Sequence, residues 1–412
     1  MFIGEIKLIG KTDLNQTPSN IAGSAWNAVI PAGANAGKTL GQVCETTMTI
    51  ATCDASKLSK TAFAAGSICF GLACSPTQLY TGSLQASRHF NAKFPYLQTI
   101  NRIWNRDTSN YDALQMSLTV RNYRGLSATA GYTWSHALDI GQNNTTGTGS
   151  DAYNNNLDYG QSSSDLRHRF TLAPIYNLPG RKGYGGLLEG WRINGNFKVQ
   201  SGRPWTATDT RDFYGTGKAS RWNFFGDYKD FQANLPGEGN AGFYPGCPTA
   251  ACTTLPAGNN PRTGVAFVAA DLAPNNALCK AHASSLATLT AFGCWAQNNS
   301  VLTPPDINQF GNSIKGQFRG PHFWNIDMSV AKTQHLTERL SAEFRSEFYN
   351  ILNHPNFSQS GGAAAAASSL NSCVLGACTF GQITNTPNVA ATNALIGSGG
   401  ARRMALGVKL IF

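Results

Sequence analysis

Apolar and polar residues alternate with a period of two in several separate stretches of the chain. Because successive side chains on a β-strand point to opposite faces, this alternation predicts strands that are apolar on one face and polar on the other. The apolar rows run through residues 114–120, 126–134, 170–176, 191–199, 324–330, 340–348 and 404–412, with a weaker row at residues 2–8. The pattern therefore predicts about eight strands.

The row at residues 340–348 also fits a helix, because apolar residues recur every four positions from Leu336 onward. An amphipathic helix would also need apolar residues three positions further on. Charged residues stand at those positions, among them Arg339, Glu343 and Glu347. We therefore favour a strand in this part of the chain.

The connections between the predicted strands alternate in length. The long ones lie at residues 11–110, 138–165, 201–322 and 351–401, and the short ones lie at residues 122–125, 179–190 and 334–337. Outer-membrane barrels combine antiparallel strands with short periplasmic turns and long extracellular loops. We therefore expect an all-β fold, an antiparallel transmembrane β-barrel whose long loops are extracellular and whose last strand ends with Phe412 on the periplasmic side.

The composition narrows the remaining protein classes. Charged residues make up 13% of the chain, which is about half of the roughly 25% that is usual in globular proteins. The sequence contains no run of about 18 apolar residues, and this excludes transmembrane helices.

A soluble β-sandwich whose apolar rows form an ordinary core is the alternative to a barrel. Glycine and alanine on these rows would give a sandwich a thin core, so we favour the barrel.

The ten cysteines occur in short-range pairs within the long connections. The pairs are Cys44 and Cys53, Cys69 and Cys74, Cys247 and Cys252, Cys279 and Cys294, and Cys373 and Cys378. An even number of closely spaced cysteines predicts disulfide bonds and an oxidising compartment. Zinc ligation is the alternative, but the pairs with four intervening residues lack nearby histidine partners. Extracellular loops would allow such disulfides to form and persist.

In a transmembrane barrel the apolar rows contact lipid and the polar rows face the lumen. The polar rows contain basic residues that would then point inward: Arg121, Arg169, Arg192, Lys198, Arg345 and Lys409. The formal net charge of +10 is dispersed along the strands, whereas a nucleic-acid-binding surface clusters its basic residues. A basic lumen, or contact with the phosphates of lipopolysaccharide, explains this charge better.

No arrangement of residues indicates catalysis or a bound cofactor. The segment from Gly33 to Thr39 is one residue too short for a phosphate-binding loop, and no helix pattern follows it. The seven histidines are scattered without the spacing of metal ligands. No Ser-His-Asp set can be argued from the sequence. We therefore expect a protein that is not an enzyme and that needs neither a metal nor a cofactor.

Several segments together resemble a known family. They include "SNYDALQMSLTVRNYRGLSATAGYTWSHALD", "GWRINGNFKVQSGRPWT", "FRGPHFWNIDMSVAKTQHLTERLSAEFRSEFYNILNHPNF" and the terminal "MALGVKLIF". In this order they resemble the C-terminal part of the β-barrel of Oar-like TonB-dependent outer-membrane receptors, whose full-length members carry a carboxypeptidase-regulatory-like domain and a plug. The resemblance spans nearly the whole chain, except residues 40–85 and 205–300, which look like loop sequence without a counterpart.

The resemblance implies a receptor in the bacterial outer membrane that binds a substrate and imports it through a plugged barrel. The implied partners are outer-membrane lipid and lipopolysaccharide, the barrel-assembly machinery, and a TonB-type energy-coupling protein that acts through an N-terminal part. Two alternatives stay open: an outer-surface adhesion barrel without transport, and a soluble secreted β-domain that binds polysaccharide. From the terminal alternation we also expect a recognition signal for barrel assembly at Leu406, Val408, Leu410 and Phe412.

Residues 1–412 are expected to form a single partial barrel domain. Outer-membrane transporters close with about 22 strands, and the alternation predicts about eight. The sequence shows no secretory signal, plug or regulatory domain, so we expect the C-terminal part of a larger receptor. A complete small barrel is the alternative, and its interior would be filled by side chains.

Overall fold

The computed structural model describes most of the predicted strands and much of the second half of the chain. The described residues are 2–13, 37–38, 89–90, 93, 100–140, 150–180, 186–209, 213, 219–231, 242–247, 255–256, 259–260, 265–306, 309–337, 340–357 and 400–412.

An antiparallel sheet of nine strands forms the body of the fold. Its eight main strands are β1 (Phe2–Asp13), β2 (Asn101–Tyr123), β3 (Leu126–Asp139), β5 (His168–Asn177), β6 (Trp191–Gln200), β13 (Phe323–His335), β14 (Ser341–Tyr349) and β15 (Arg403–Ile411), and the short β4 (Gly160–Gln161) pairs with the end of β3. The main strands are hydrogen-bonded in chain order, so each lies antiparallel to the one before it. Up-and-down barrels have this strand order.

The β2–β3 hairpin shows how the local sequence determines this arrangement. Leu114 lies opposite Trp134, so large apolar side chains meet on one face of the hairpin. Gly125 closes the connecting turn with a φ of +85°. A Cβ at this position would collide with the backbone carbonyl of Asn177. Glycine satisfies both requirements because it has no Cβ and adopts positive φ without strain.

All eight predicted strands are present in the sheet, and the ambiguous row at residues 340–348 is a strand. The predicted loop at residues 11–110 was wrong at both ends, because β1 and β2 stay paired as far as Asp13 and Asn101. The additional residues of β2 include asparagine, arginine and aspartate and have no apolar row. Backbone hydrogen bonds to β1, which leave no trace in the hydrophobic pattern, hold this part in a strand.

β2 is 23 residues long, whereas about 9–11 residues suffice to cross a bilayer as a tilted strand. Its pairing with β3 begins at Ser109, and residues 101–108 pair with β1 alone. β1 and β2 therefore continue as a two-stranded ribbon beyond the rest of the sheet. The ribbon lies at the end of the sheet from which the long connections leave.

The long connection between β6 and β13, residues 201–322, folds into a structured unit that we call the insert. Its described elements are β7 (Pro204–Trp205), β8 (Asn223–Phe225), β9 (Phe243–Tyr244), α1 (Ala277–Ala281), α2 (Leu286–Phe292), β10 (Cys294–Gln297), β11 (Ser300–Thr303) and β12 (Phe318–Arg319), with 3₁₀ turns at Tyr228–Phe231, Ala269–Asp271 and Ala273–Asn275. β8, β11, β10 and β9 form a four-stranded sheet in this order, and β7 pairs with β12. Among the described residues, no helix is long and apolar enough to cross a membrane.

The insert has a hydrophobic core of its own. The largest of its side chains that are less than 2% exposed are Trp222, Trp295, Phe213, Phe318, Leu272, Leu289 and Leu302. Residues 201–322, predicted as a long loop between two strands, therefore contain a folded unit. Some of these core residues, such as Trp222 and Phe213, lie outside any helix or strand, and the others lie in elements of two to seven residues. Elements of this length are too short to produce a clear period of two or of 3.6.

A disulfide bond joins Cys279 on α1 to Cys294 on β10, two cysteines that the spacing had paired. Both pack in the core of the insert against Leu289 and Val301. A bond that closes a loop of this size stabilises a fold by about 3 kcal/mol. Cys247 is also disulfide-bonded. The remaining cysteines lie outside the described residues: Cys44, Cys53, Cys69, Cys74, Cys252, Cys373 and Cys378.

Candidate functional site

One face of the main sheet is apolar and open to its surroundings. The register aligns the apolar rows of neighbouring strands side by side, for example Leu114 with Trp134, Tyr132 with Phe170, Phe197 with Ile326, and Phe344 with Val408. On β15, Leu406 is 80% exposed and Val408 is 66% exposed. Soluble proteins rarely expose a continuous apolar surface of this extent. A barrel in a bilayer requires such a surface for contact with lipid.

The opposite face carries polar side chains. The register places most of the basic residues that were predicted to face the lumen on this face, namely Arg169, Arg192, Lys198, Arg345 and Lys409. Arg121 lies between Val120 and Tyr123, where the register with β3 shifts, so only the alternation along β2 assigns it to this face. That the polar face lines a lumen stays a prediction.

A ladder of ion pairs crosses the polar face from β6 to β14. Glu343 accepts hydrogen bonds from Arg192 at 3.2 Å and from Arg345 at 2.6 Å, and Arg345 also pairs with Glu347 at 3.3 Å. Arg192 reaches across β13 because the residue between the two arginines in the register is Ala331, whose methyl group is small. The side chains of Arg192 and Arg345 remain 39% and 42% exposed, so the ladder is accessible to water or to a ligand.

The polar face is covered at the end of the sheet from which the long connections leave. On this face Ala113 and Ser135 are each 4% exposed and Asp139 is 8% exposed. On the apolar face nearby, Leu114 and Trp134 are 45% and 44% exposed. The described parts of the connections that follow β3 and β6 therefore pack on the polar side of the sheet.

In the described part of the chain, three buried ion pairs join the insert to β3 and to the connection between β3 and β5. The pairs are Lys315 with Asp139, Arg221 with Asp158, and Arg319 with Asp165. The insert supplies all three bases, and the β3 side supplies all three acids. Sequence analysis missed these pairs, because their partners are 63, 154 and 176 residues apart. The one signal was the presence of basic residues in a long connection with few charges.

The segment "NHPNF" that follows β14 forms a structural turn. The side-chain amide of Asn350 donates to the carbonyls of His354 and Gly400 at 2.8 and 2.7 Å. Asn356 accepts a hydrogen bond from the backbone N–H of Trp324 and donates one to its carbonyl. His354 stacks on Trp324 with ring centroids 3.9 Å apart, and burial lowers the pKa of His354. These contacts tie the adjacent ends of β13, β14 and β15 together.

Asp230 in the insert makes the stability of this unit depend on pH. Its carboxylate accepts hydrogen bonds from the Ser300 hydroxyl at 2.6 Å and from the Asn298 amide at 2.9 Å, and these bonds lower the pKa of Asp230. The stabilisation is therefore present above the unfolded-state pKa of about 4 and is lost as the pH falls through the folded-state pKa. We expect the melting temperature of the insert, followed by tryptophan fluorescence, to fall more steeply below about pH 4 in the wild type than in Asp230→Asn. Parallel pH profiles for the two proteins would contradict this assignment.

The residues that were predicted to form the assembly signal lie on the apolar face of the last strand and just after it. They are Leu406, Val408, Leu410 and Phe412, and all are exposed. Their side chains continue the apolar row of β14, where Phe344 lies opposite Val408. Their recognition by the assembly machinery stays a prediction.

Comparison with models of protein families found a match at residues 7–402 to a family described as "Outer membrane beta barrel domain". No curated protein and no solved structure matched the chain. The match runs from within β1 through β14 and stops just before β15 begins at Arg403.

Proposed function

The chain belongs to a family of outer-membrane β-barrel domains and is located in the bacterial outer membrane, and from this we propose that it forms part of the wall of a TonB-dependent receptor that binds and imports a substrate. The polar face of the sheet lines the passage, and the apolar face contacts lipid. The alternative of a soluble secreted β-domain that binds polysaccharide does not fit this location.

The observation that carries the proposal is the separation of the two faces of the main sheet. The apolar face is exposed or half-buried from β2 to β15, and the polar face carries the ion-pair ladder around Glu343 with two partly exposed arginines. The wall of an aqueous passage through a membrane needs this division, because lipid accepts no unpaired charge and water in the passage hydrates the polar face.

The proposed activity involves no covalent chemistry. Substrate binds to the extracellular segments and to the polar face, and passage requires a conformational change that a TonB-type energy-coupling protein drives from the periplasm. Lipid and lipopolysaccharide surround the apolar face, and the barrel-assembly machinery inserts the protein. The receptor needs neither a cofactor nor a metal for these steps.

A comparison of three strains tests the proposed import without knowledge of the substrate. The strains are the wild type, a strain without this protein, and a strain without the energy-coupling protein, all grown in the same rich medium. Mass spectrometry of the spent media should find at least one compound that only the wild type removes. If all three strains remove the same compounds at the same rates, the proposal is wrong.

Arg345→Glu should change the uptake rate of that compound by about tenfold, downward for an anion and upward for a cation, because charges along a passage alter the local concentration of a charged solute by such factors. The substitution reverses the charge at the centre of the ladder and places three carboxylates next to each other on β14. Arg124→Glu, which makes the same change in the exposed β2–β3 turn, serves as the control. Equal uptake by the two variants, at equal amounts in the outer membrane, would contradict a role of the polar face in passage.

An outer-surface interaction protein without transport is the second candidate function. The insert favours it, because a disulfide-bonded unit with its own core can present a rigid surface to another cell or to a polymer. This function predicts that Arg345→Glu leaves the phenotype unchanged, while replacement of the insert by a short linker abolishes it. Import predicts that Arg345→Glu and the replacement of the insert both change the uptake rate.

A further inference from the structure

The junction between the insert and the β3 side is built from buried charges. The exposed fractions of the paired side chains are 5% and 12% for Lys315 and Asp139, 6% and 5% for Arg221 and Asp158, and 17% and 0% for Arg319 and Asp165. Arg221 approaches Asp158 at 3.2 Å and also donates to the carbonyl of Leu157 at 2.6 Å. The charges are thus removed from water and paired across the junction.

The remaining contacts that are described at this junction are polar as well. The backbone N–H of Gln161 donates to the carbonyl of Lys315 at 3.1 Å. Arg319 also contacts the side chain of Gln161 across the junction, and within the insert it donates to the carbonyl of Gly202 at 3.1 Å. The core of the insert around Leu289 and Cys279 belongs to the insert itself. Opening of this junction therefore leaves the cluster around Leu289 and Cys279 packed.

Buried ion pairs differ from apolar contacts in the cost of separation. Charges that separate into water regain their hydration, which offsets most of the attraction that is lost. Apolar surfaces that separate gain no such compensation. A junction of charges can therefore hold one defined arrangement and still open, provided that all pairs open together.

We propose that the three pairs form an ionic clasp that holds the insert closed over the polar face of the sheet, and that the opening of this clasp is the step that uncovers this face from the outside. The proposal rests on the proposed function only in taking the polar face as the wall of the passage. The insert reaches this face at Asp139, which is buried against Lys315, and the β3–β5 connection that it clasps lies over Ser135, whose hydroxyl donates to the carbonyl of Leu166. Closure and opening then involve the insert as one body.

Distances between two spin labels test the clasp without any measurement of transport. One label is attached at Asn156→Cys in the β3–β5 connection and the other at Lys229→Cys on the insert, both of which are exposed positions. In the wild-type background the labels should show one narrow distance distribution. Lys315→Met leaves Asp139 buried without its partner, and this should raise the population of longer distances by about a hundredfold or more.

Two further variants separate an ionic clasp from a general loss of structure. Lys280→Met makes the same substitution at an exposed lysine of α1 and should leave the distribution narrow. The double variant Asp139→Leu with Lys315→Met replaces the buried pair by apolar side chains and should restore the narrow distribution, because such replacements are often neutral or stabilising. Arg319→Met provides an independent break of the clasp if Lys315→Met does not fold.

The proposal is overturned if the distribution stays narrow in Lys315→Met and in Arg319→Met, or if Lys280→Met broadens it equally. Because the distances are measured in the purified protein in lipid, they do not depend on import. If all three strains take up the same compounds, the proposed function is wrong and the proposed clasp is unaffected. If the distance distribution stays narrow in the variants, only the proposed clasp is wrong.

Discussion

Val408→Arg should destabilise the folded protein in the membrane by about 2–4 kcal/mol. Val408 lies near the middle of the apolar row of β15, opposite Phe344, and its side chain is exposed on the apolar face. An arginine at this position would place its charge in the hydrocarbon core of the bilayer, where it finds neither water nor a partner. The unfolding midpoint in urea, measured with the protein inserted in lipid vesicles, reports this loss.

Gly407→Arg is the matched control, since it adds the same side chain one position earlier in the same strand. Gly407 lies opposite Arg345 on the polar face, and a Cβ there would meet no atom within 4 Å. The new arginine can extend into water, and the expected change is within about 1 kcal/mol. Equal losses of stability in the two variants would contradict the assignment of the two faces.

Leu289→Ala should destabilise the insert by about 2–5 kcal/mol. Leu289 lies on α2, is fully buried, and packs against the Cys279–Cys294 disulfide and Val301. Alanine preserves the helix but leaves a cavity among these side chains, so the loss of packing is the dominant effect. Limited proteolysis of the protein in lipid vesicles should show cleavage in the insert at a lower temperature than in the wild type.

Leu286→Ala tests whether burial causes this effect. Leu286 begins the same helix but is 59% exposed, so its truncation should change the stability by less than about 0.5 kcal/mol. If the two variants were cleaved at the same temperature, the insert would not have the core described here.

The main strands could be predicted from the sequence because lipid on one side and water on the other impose a strict alternation on each strand. Trp191 to Val199 and Met404 to Phe412 show this most clearly. β1 and β2 extend past the other strands, and there lipid and water do not lie on opposite sides of the sheet. The alternation of apolar and polar residues is therefore absent from this part of β2. Backbone pairing between Asp13 and Asn101 depends on the partner strand and has no counterpart in the local sequence.

The sequence predicted the basic residues of the polar face but not the ion pairs that join the insert to the β3 side. The basic residues of the polar face, such as Arg192 and Arg345, followed from the alternation, because a strand position determines the face. The ladder between them depends on the small side chain of Ala331 on the strand in between. The pairs between the insert and the β3 side depend on how two long connections fold against each other, and no local period encodes that.

The insert leaves and rejoins the sheet at two neighbouring strands. Gln200, at the end of β6, lies opposite Phe323, at the start of β13, so the entry and exit points are adjacent. A unit attached in this way can be shortened, enlarged or exchanged without any change in the register of the strands below it. Evolution can therefore alter the insert while the strands of the barrel stay constant, and the same two attachment points offer a place for grafting foreign domains onto this sheet.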